Sequence, residues 1–318
     1  MTTRRTLSRL HRSIGPGSAT WTTKKVLLGL LLLGVLSWGT TGTYAVLSSE
    51  NANRAATVST GTLTFSNTVN SGSACLSYGT ATANNNINNA CSAVISESSG
   101  LVAPGGSILA AITIKNNGSI AGSDLSLYMP TCTATTTSTY TGGVNGSGNL
   151  CAASGGQFYV QESSINVTLS SSLSTGAPIT SLPVTALNGT VTSGTSVVVS
   201  SGTHTQTFTA SSTVNAGATS IPVNSLTPNF AYPSGSIVFD PTTCWSPSQN
   251  GACPFNNSTL FAFQLNHGLV TNALDLGTGP AAGASRYFVV GMAIPSNASI
   301  NYMGQAAAFA LTWHLTTF

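Results

Sequence analysis

Apolar and polar positions alternate with a period of two along most of this chain, the mark of half-buried β-strands. Residues 57–65 place Val58, Leu63 and Phe65 among small polar residues. Residues 107–115 put Ile108, Ala110, Ile112 and Ile114 on one face, and Leu125, Leu127 and Met129 alternate in the next segment. Residues 157–161 and 260–265 are short apolar-rich runs that also read as strands. Residues 287–294 are almost continuously apolar, as expected of a strand covered on both faces. The closing segment sets Phe309, Leu311, Trp313 and Leu315 on one face, with Ala310, Thr312, His314 and Thr316 on the other. Clusters of Gly, Pro, Asn and Ser separate the runs. After residue 45 no stretch keeps apolar residues at a 3.6-residue spacing for more than two turns. Many short strands with turn signals between them predict an all-β sandwich or barrel.

The stretch from about 180 to 240 differs: it is richer in Ser, Thr and Val and holds no Cys. Segments 193–199 and 216–223 are loosely similar, each with a Gly turn, a Thr-Ser pair and an aliphatic run. This predicts a small β insert on the main sandwich, built of two related hairpins.

The N-terminus follows another pattern. Arg4, Arg5, Arg9, Arg12, Lys24 and Lys25 precede an apolar run, Val26 to Trp38, and Thr43-Tyr44-Ala45 then carries small residues at both ends. Basic, apolar and small-residue regions in that order predict a helical secretory signal over residues 1–45, cut between Ala45 and Val46. The run is shorter than the roughly 20 residues a membrane span needs, so no span is expected in the mature chain; an uncleaved anchor is the competing reading. Arg4-Arg5 lies too far ahead of the run to define a twin-arginine signal.

Removing the leader inverts the charge. Six of the nine basic residues lie in it, leaving Arg54, Lys115 and Arg286 against Glu50, Glu97, Asp124, Glu162, Asp240 and Asp275, a net −3. No basic patch remains to neutralise phosphates, which argues against nucleic-acid binding. Charged residues make up 5% of the sequence, far below the roughly 25% of ordinary soluble domains. A surface of hydroxyls and amides repels its copies little and suits self-association.

Six cysteines, all beyond the leader, read as disulfides in an exported chain. Pairing of neighbours is expected: Cys75 with Cys91, Cys132 with Cys151 and Cys244 with Cys253. Each pair closes a short Ser-, Asn- and Gly-rich loop with little core of its own, and closing about 15 residues is worth about 3 kcal/mol in the chain-entropy account. Zinc fits poorly, for there is no Cys-x-x-Cys and no His at ligand spacing.

No catalytic constellation stands out, and no cofactor is expected. His204, His267 and His314 are isolated, and neither His-Glu-x-x-His nor Gly-x-Ser-x-Gly occurs. The six acids form no pair in sequence. Asn-x-Ser/Thr sequons occur at several positions, Asn117 among them, where a role in the turn is expected rather than glycosylation. Trp245, next to Cys244, is a candidate for a sugar-facing aromatic or a cap on the sandwich end.

Three groups of residues carry a resemblance. Gly42-Thr43-Tyr44-Ala45 is followed closely by residues 56–63, which end Gly61-Thr62-Leu63. Ala103-Pro104-Gly105-Gly106 opens a strand that ends Lys115-Asn116-Asn117-Gly118-Ser119, and Asp124-Leu125-Ser126-Leu127 comes next. Residues 282–288 lead to Asn301-Tyr302-Met303-Gly304-Gln305 and the closing 309–313. In this order they resemble the TasA/camelysin family of secreted bacterial biofilm-matrix proteins, which includes archaeal pilins of similar fold. Gly304-Gln305 is inverted from the family's usual order, and the insert and cysteine-closed loops depart from it. The resemblance implies a jelly-roll sandwich, a leader cut by a dedicated signal peptidase, and homopolymeric extracellular fibres that also take up other matrix proteins. It further implies that the segment freed by cleavage fills a strand position in the next copy; Val46, Leu47, Ala52, Ala55 and Val58 would carry that donation. An exposed sheet edge offers unpaired N–H and C=O groups that such a strand satisfies. A monomeric surface adhesin or carbohydrate-binding module is the alternative, and a secreted metallopeptidase like camelysin the third reading.

Overall fold

The computed structural model describes residues 61–70, 72–77, 91, 93–95, 106–136, 146–202, 204–245, 259–294, 298, 302 and 304–317. The predicted leader, the Ala45–Val46 cleavage site and the donor positions Val46, Leu47, Ala52, Ala55 and Val58 lie outside the described residues. The first strand, β1 (Phe65–Val69), begins where the predicted 57–65 strand ends. It is joined in one antiparallel sheet by β2 (Cys75–Leu76), β3 (Ser107–Asn116), β6 (Gln157–Thr168), β8 (Ser196–Ser200), β9 (Thr205–Thr209), β11 (Ile237–Trp245) and β13 (Ser285–Ala293), in the order β2-β1-β3-β13-β6-β11-β8-β9.

A second layer faces the body of that sheet. Here β4 (Asp124–Tyr128) pairs with β12 (Leu274–Asp275) on one side and β15 (Thr312–Thr316) on the other, while β5 (Cys132–Thr136) pairs with β14 (Gln305–Phe309). Thr312 lies opposite Tyr128 and Phe309 opposite Cys132, so β4–β5 and β14–β15 form one ladder bent in the middle. Pro130 sits at the bend, where its missing N–H removes no ladder bond. The two layers enclose a core of alternating side chains: Ile108, Ile112 and Ile114 from β3, Phe288 and Val290 from β13, and Leu125, Leu127, Trp313 and Leu315 opposite them. The fold is an all-β sandwich, as the alternation predicts.

One predicted strand is a helix. Residues 260–265 belong to α1 (Leu260–Asn266). The Thr259 hydroxyl caps it, accepting from the Ala262 N–H at 3.1 Å. Leu260 and Phe263, one turn apart, face the core, and the Phe263 ring meets Phe158 edge-on at 4.8 Å. A helix of two turns is too short to distinguish a period of 3.6 from a period of two.

A second core lies among residues from Ile165 to Val238. It takes Ile165 and Val167 from β6, Val197 and Val199 from β8, Phe208 from β9 and Val238 from β11. It also takes Leu182 from β7 (Ile179–Pro183), Ile221 and Val223 from β10 (Ser220–Leu226), and the ring of Tyr232. Val191 and Val214 bridge each other, and each is followed three residues later by a glycine at positive φ, Gly194 (+84°) and Gly217 (+90°). After the first of these glycines β8 and β9 form a hairpin, but after the second β10 pairs with the distant β7, so the two similar segments are not two hairpins.

The long strand β6 serves both cores, but not in one phase. Phe158 and Val160 face the first core, Ile165 and Val167 the second. The phase changes where the register with β11 shifts twice, between Phe239 and Thr243, at Pro241. Ser163 fills this corner. Its hydroxyl accepts from the N–H groups of Asp240 (2.9 Å) and Ile165 (3.3 Å) and lies between the carbonyls of those same residues. Beyond the corner the sheet coils: Val198, Ile237 and Phe239 pack on Leu109, Ala111, Tyr159 and Val289, and the Leu109 N–H donates to the Gly202 carbonyl at 3.3 Å.

Candidate assembly edge

A β-protein that polymerises needs a strand with spare backbone hydrogen bonds, so the sheet edges decide what this fold can do. At the edges of the large sheet, β2 is two residues long. The flank of β9 is occupied: the Gln206 amide donates to the Thr227 carbonyl at 3.0 Å, and its oxygen accepts from the Asn229 N–H at 2.7 Å. In the second layer β12 again has two residues. Of the strands that pair with another strand on one side alone among the described residues, β14 and β15 together make the longest edge, from Gln305 to Thr316, beside the shorter β5, β7 and β10. It contains no Lys, no Pro and no acid, so it carries none of the devices that usually blunt an edge. Trp313 and Leu315 of β15 face the core, and His314 is exposed.

The outer face beside this edge holds a carboxyl pair that the sequence does not disclose. Asp275 and His314 both lie opposite Ser126, and Asp124 lies opposite Thr316. The Asp124 carboxyl is raised above the ordinary carboxylate range by burial, then by the charge of Asp275 and a hydrogen bond to it, with His314 opposing. Some 150 residues separate the two acids in the chain, so no local pattern announces them. Among the described residues no three His, Cys, Asp or Glu groups stand close enough to hold a metal ion.

Two further residues fix the layers that present the edge. Arg286 donates from Nε to Glu162 (2.7 Å) and from its terminal nitrogens to the Thr278 and Leu276 carbonyls (2.7 and 2.8 Å), linking β13 to the segment after β12. Asn116, fully buried, donates to the carbonyls of Ile120 and Pro280 at 2.7 and 3.0 Å, and its oxygen accepts from Gly118 N–H. The structural asparagine of this turn is thus Asn116; its neighbour Asn117 is exposed.

Two of the expected disulfides are closed, Cys75–Cys91 and Cys132–Cys151. Such bonds fit an oxidising environment. Cys244 and Trp245 end β11, with Trp245 opposite Val160. The side chains of Cys244 and Trp245 and the whole of Cys253 lie outside the described residues, and so does the third expected disulfide. No described helix is long and apolar enough to cross a membrane.

A scan of the chain against protein-family models finds no match, and a search of the curated proteins finds none either.

Proposed function

We propose that this protein is a secreted structural subunit of an extracellular fibre or matrix of the TasA/camelysin kind, and that it polymerises by strand addition after its leader is removed. The observation that carries this reading is the edge from Gln305 to Thr316, twelve residues with no Lys, Arg, Asp, Glu or Pro. The donor is the segment 46–58 of the preceding copy. Each copy uses one surface to give and another to receive, a heterologous contact that generates open filaments rather than closed rings. The low charge of the chain removes the repulsion that would oppose close stacking.

The test is electron microscopy and sizing of chain 46–318. Fibres are expected from it, and their loss on deleting 46–58 or on introducing Ala308→Lys with His314→Lys, two exposed positions of the edge. A chain that stays monomeric at high concentration with its leader removed overturns the reading.

A further inference from the structure

We propose that Asp240 is a pH-sensitive latch, closed in acid and loosened at neutral pH, that holds the strands of the second core against the outer face of the large sheet. Asp240 lies in β11 at the corner where the phase changes, and it is 5% exposed. Its carboxylate accepts from the Ser164 hydroxyl at 2.8 Å and its N–H donates to Ser163 at 2.9 Å. The Thr195 hydroxyl, just ahead of β8, donates to the Thr192 carbonyl at 2.8 Å and favours the ionised carboxylate. One carboxyl therefore joins β11 to β6 at the corner, with the approach to β8 beside it.

Among the described residues no cation pairs with it. On β6 and β13 the nearest charges, Glu162 and Arg286, are paired with each other at 2.7 Å, the one ion pair among the described residues. Tyr287 of β13 lies opposite Ser163, and β8 carries no titratable residue. Lys115 of β3 is exposed, and His204 sits in the turn between β8 and β9. Burial disfavours the charged form, so it raises Asp240 above its ordinary range against the lowering effects of Ser164 and Thr195. The sign follows from linkage. The closed state holds the proton more tightly, so closure is favoured at low pH and weakens as pH rises through the raised value.

What the latch covers is apolar. Val198 and Phe239 on the latched side pack against Leu109, Ala111, Tyr159 and Val289. Loosening uncovers these side chains while leaving the first core intact, which gives the molecule a concealed apolar surface that appears with rising pH.

Hydrogen exchange of the whole protein between pH 4 and 8, corrected for intrinsic rate, tests this. Protection of residues 107–112 and 196–209 should fall severalfold with rising pH, while β4 and β15 stay protected. Asp240→Asn should flatten the profile. Ser164→Ala, at a partly exposed position, removes a donor that favours the ionised form and should move the loss of protection to higher pH. An Asp240→Asn profile like the wild type's, an unmoved Ser164→Ala profile, or equal loss in β4 and β15 would each overturn the proposal.

Discussion

The ring of Tyr159 lies directly over Gly291, its cross-strand partner between β6 and β13, leaving no room for a Cβ at that position. The aromatic ring covers the backbone that glycine leaves bare, and Tyr159 itself is 3% exposed. Gly291→Ala should therefore destabilise the protein by about 1–3 kcal/mol, the usual penalty of overpacking. For a chain of this size that lowers Tm by roughly 2–4 °C per kcal/mol. Urea denaturation measures it, and the loss should shrink in a Tyr159→Leu background. A neutral Gly291→Ala would show that the ring moves aside freely.

Ser163→Ala should also be costly, for a different reason. The hydroxyl serves the backbone groups that the register shift leaves without ladder partners. Removing it strands buried polar groups at about 1–3 kcal/mol. Ser163→Thr, which keeps the hydroxyl, should recover part of that in the same denaturation experiment.

The Cys132–Cys151 bond ties the first residue of β5 to the turn after Leu150, across a sequence separation of 19. Replacing both cysteines by serine should lower unfolding free energy by about 3 kcal/mol, the loop-closure value for that length. The comparison is with the oxidised wild type. If the double variant matches it, the bond constrains nothing that the ladder does not already hold.

Acidification should stabilise the fold before it harms it. Asp124 and Asp240 both bind a proton more tightly folded than unfolded. Their contribution is complete below the ordinary carboxylate pKa and is lost as pH rises through the raised folded values. Unfolding free energy should rise as pH falls through the raised values towards the ordinary carboxylate pKa. Asp124→Asn combined with Asp240→Asn should flatten that rise, and a steeper rise in the double variant would sink the account.

The strands with a clean alternation were legible in the sequence. Ile108 through Ile114 and Trp313 with Leu315 face the core as their period requires, and 288–294 is buried on both faces. What the sequence hid depends on contacts between distant positions. The pairing of Asp124 with Asp275 depends on the register of β12 against β4. The role of Asn116 depends on Pro280 arriving across 164 residues. The helix at Leu260 was masked because its apolar residues satisfy both periods over so short a run. Thr259 ahead of it and Gly268 beyond it were the available signals. The corner at Ser163 is a change of phase, and a window that averages over β6 cancels it.

The setting of Lys115 and Arg286 has a consequence for durability. Enzymes of the trypsin type cut after basic residues, and beyond residue 45 this chain offers them Arg54, Lys115 and Arg286. Lys115 is paired on both sides, with Ser66 and Ser285, and Arg286 lies opposite Ile114 in the same ladder. A protease must bind its substrate as an extended, unpaired strand, so among the described residues neither bond can be cut until the sheet opens, and cleavage there depends on how often it opens. Outside a cell, such a molecule would persist among secreted proteases that clear lysine-rich proteins.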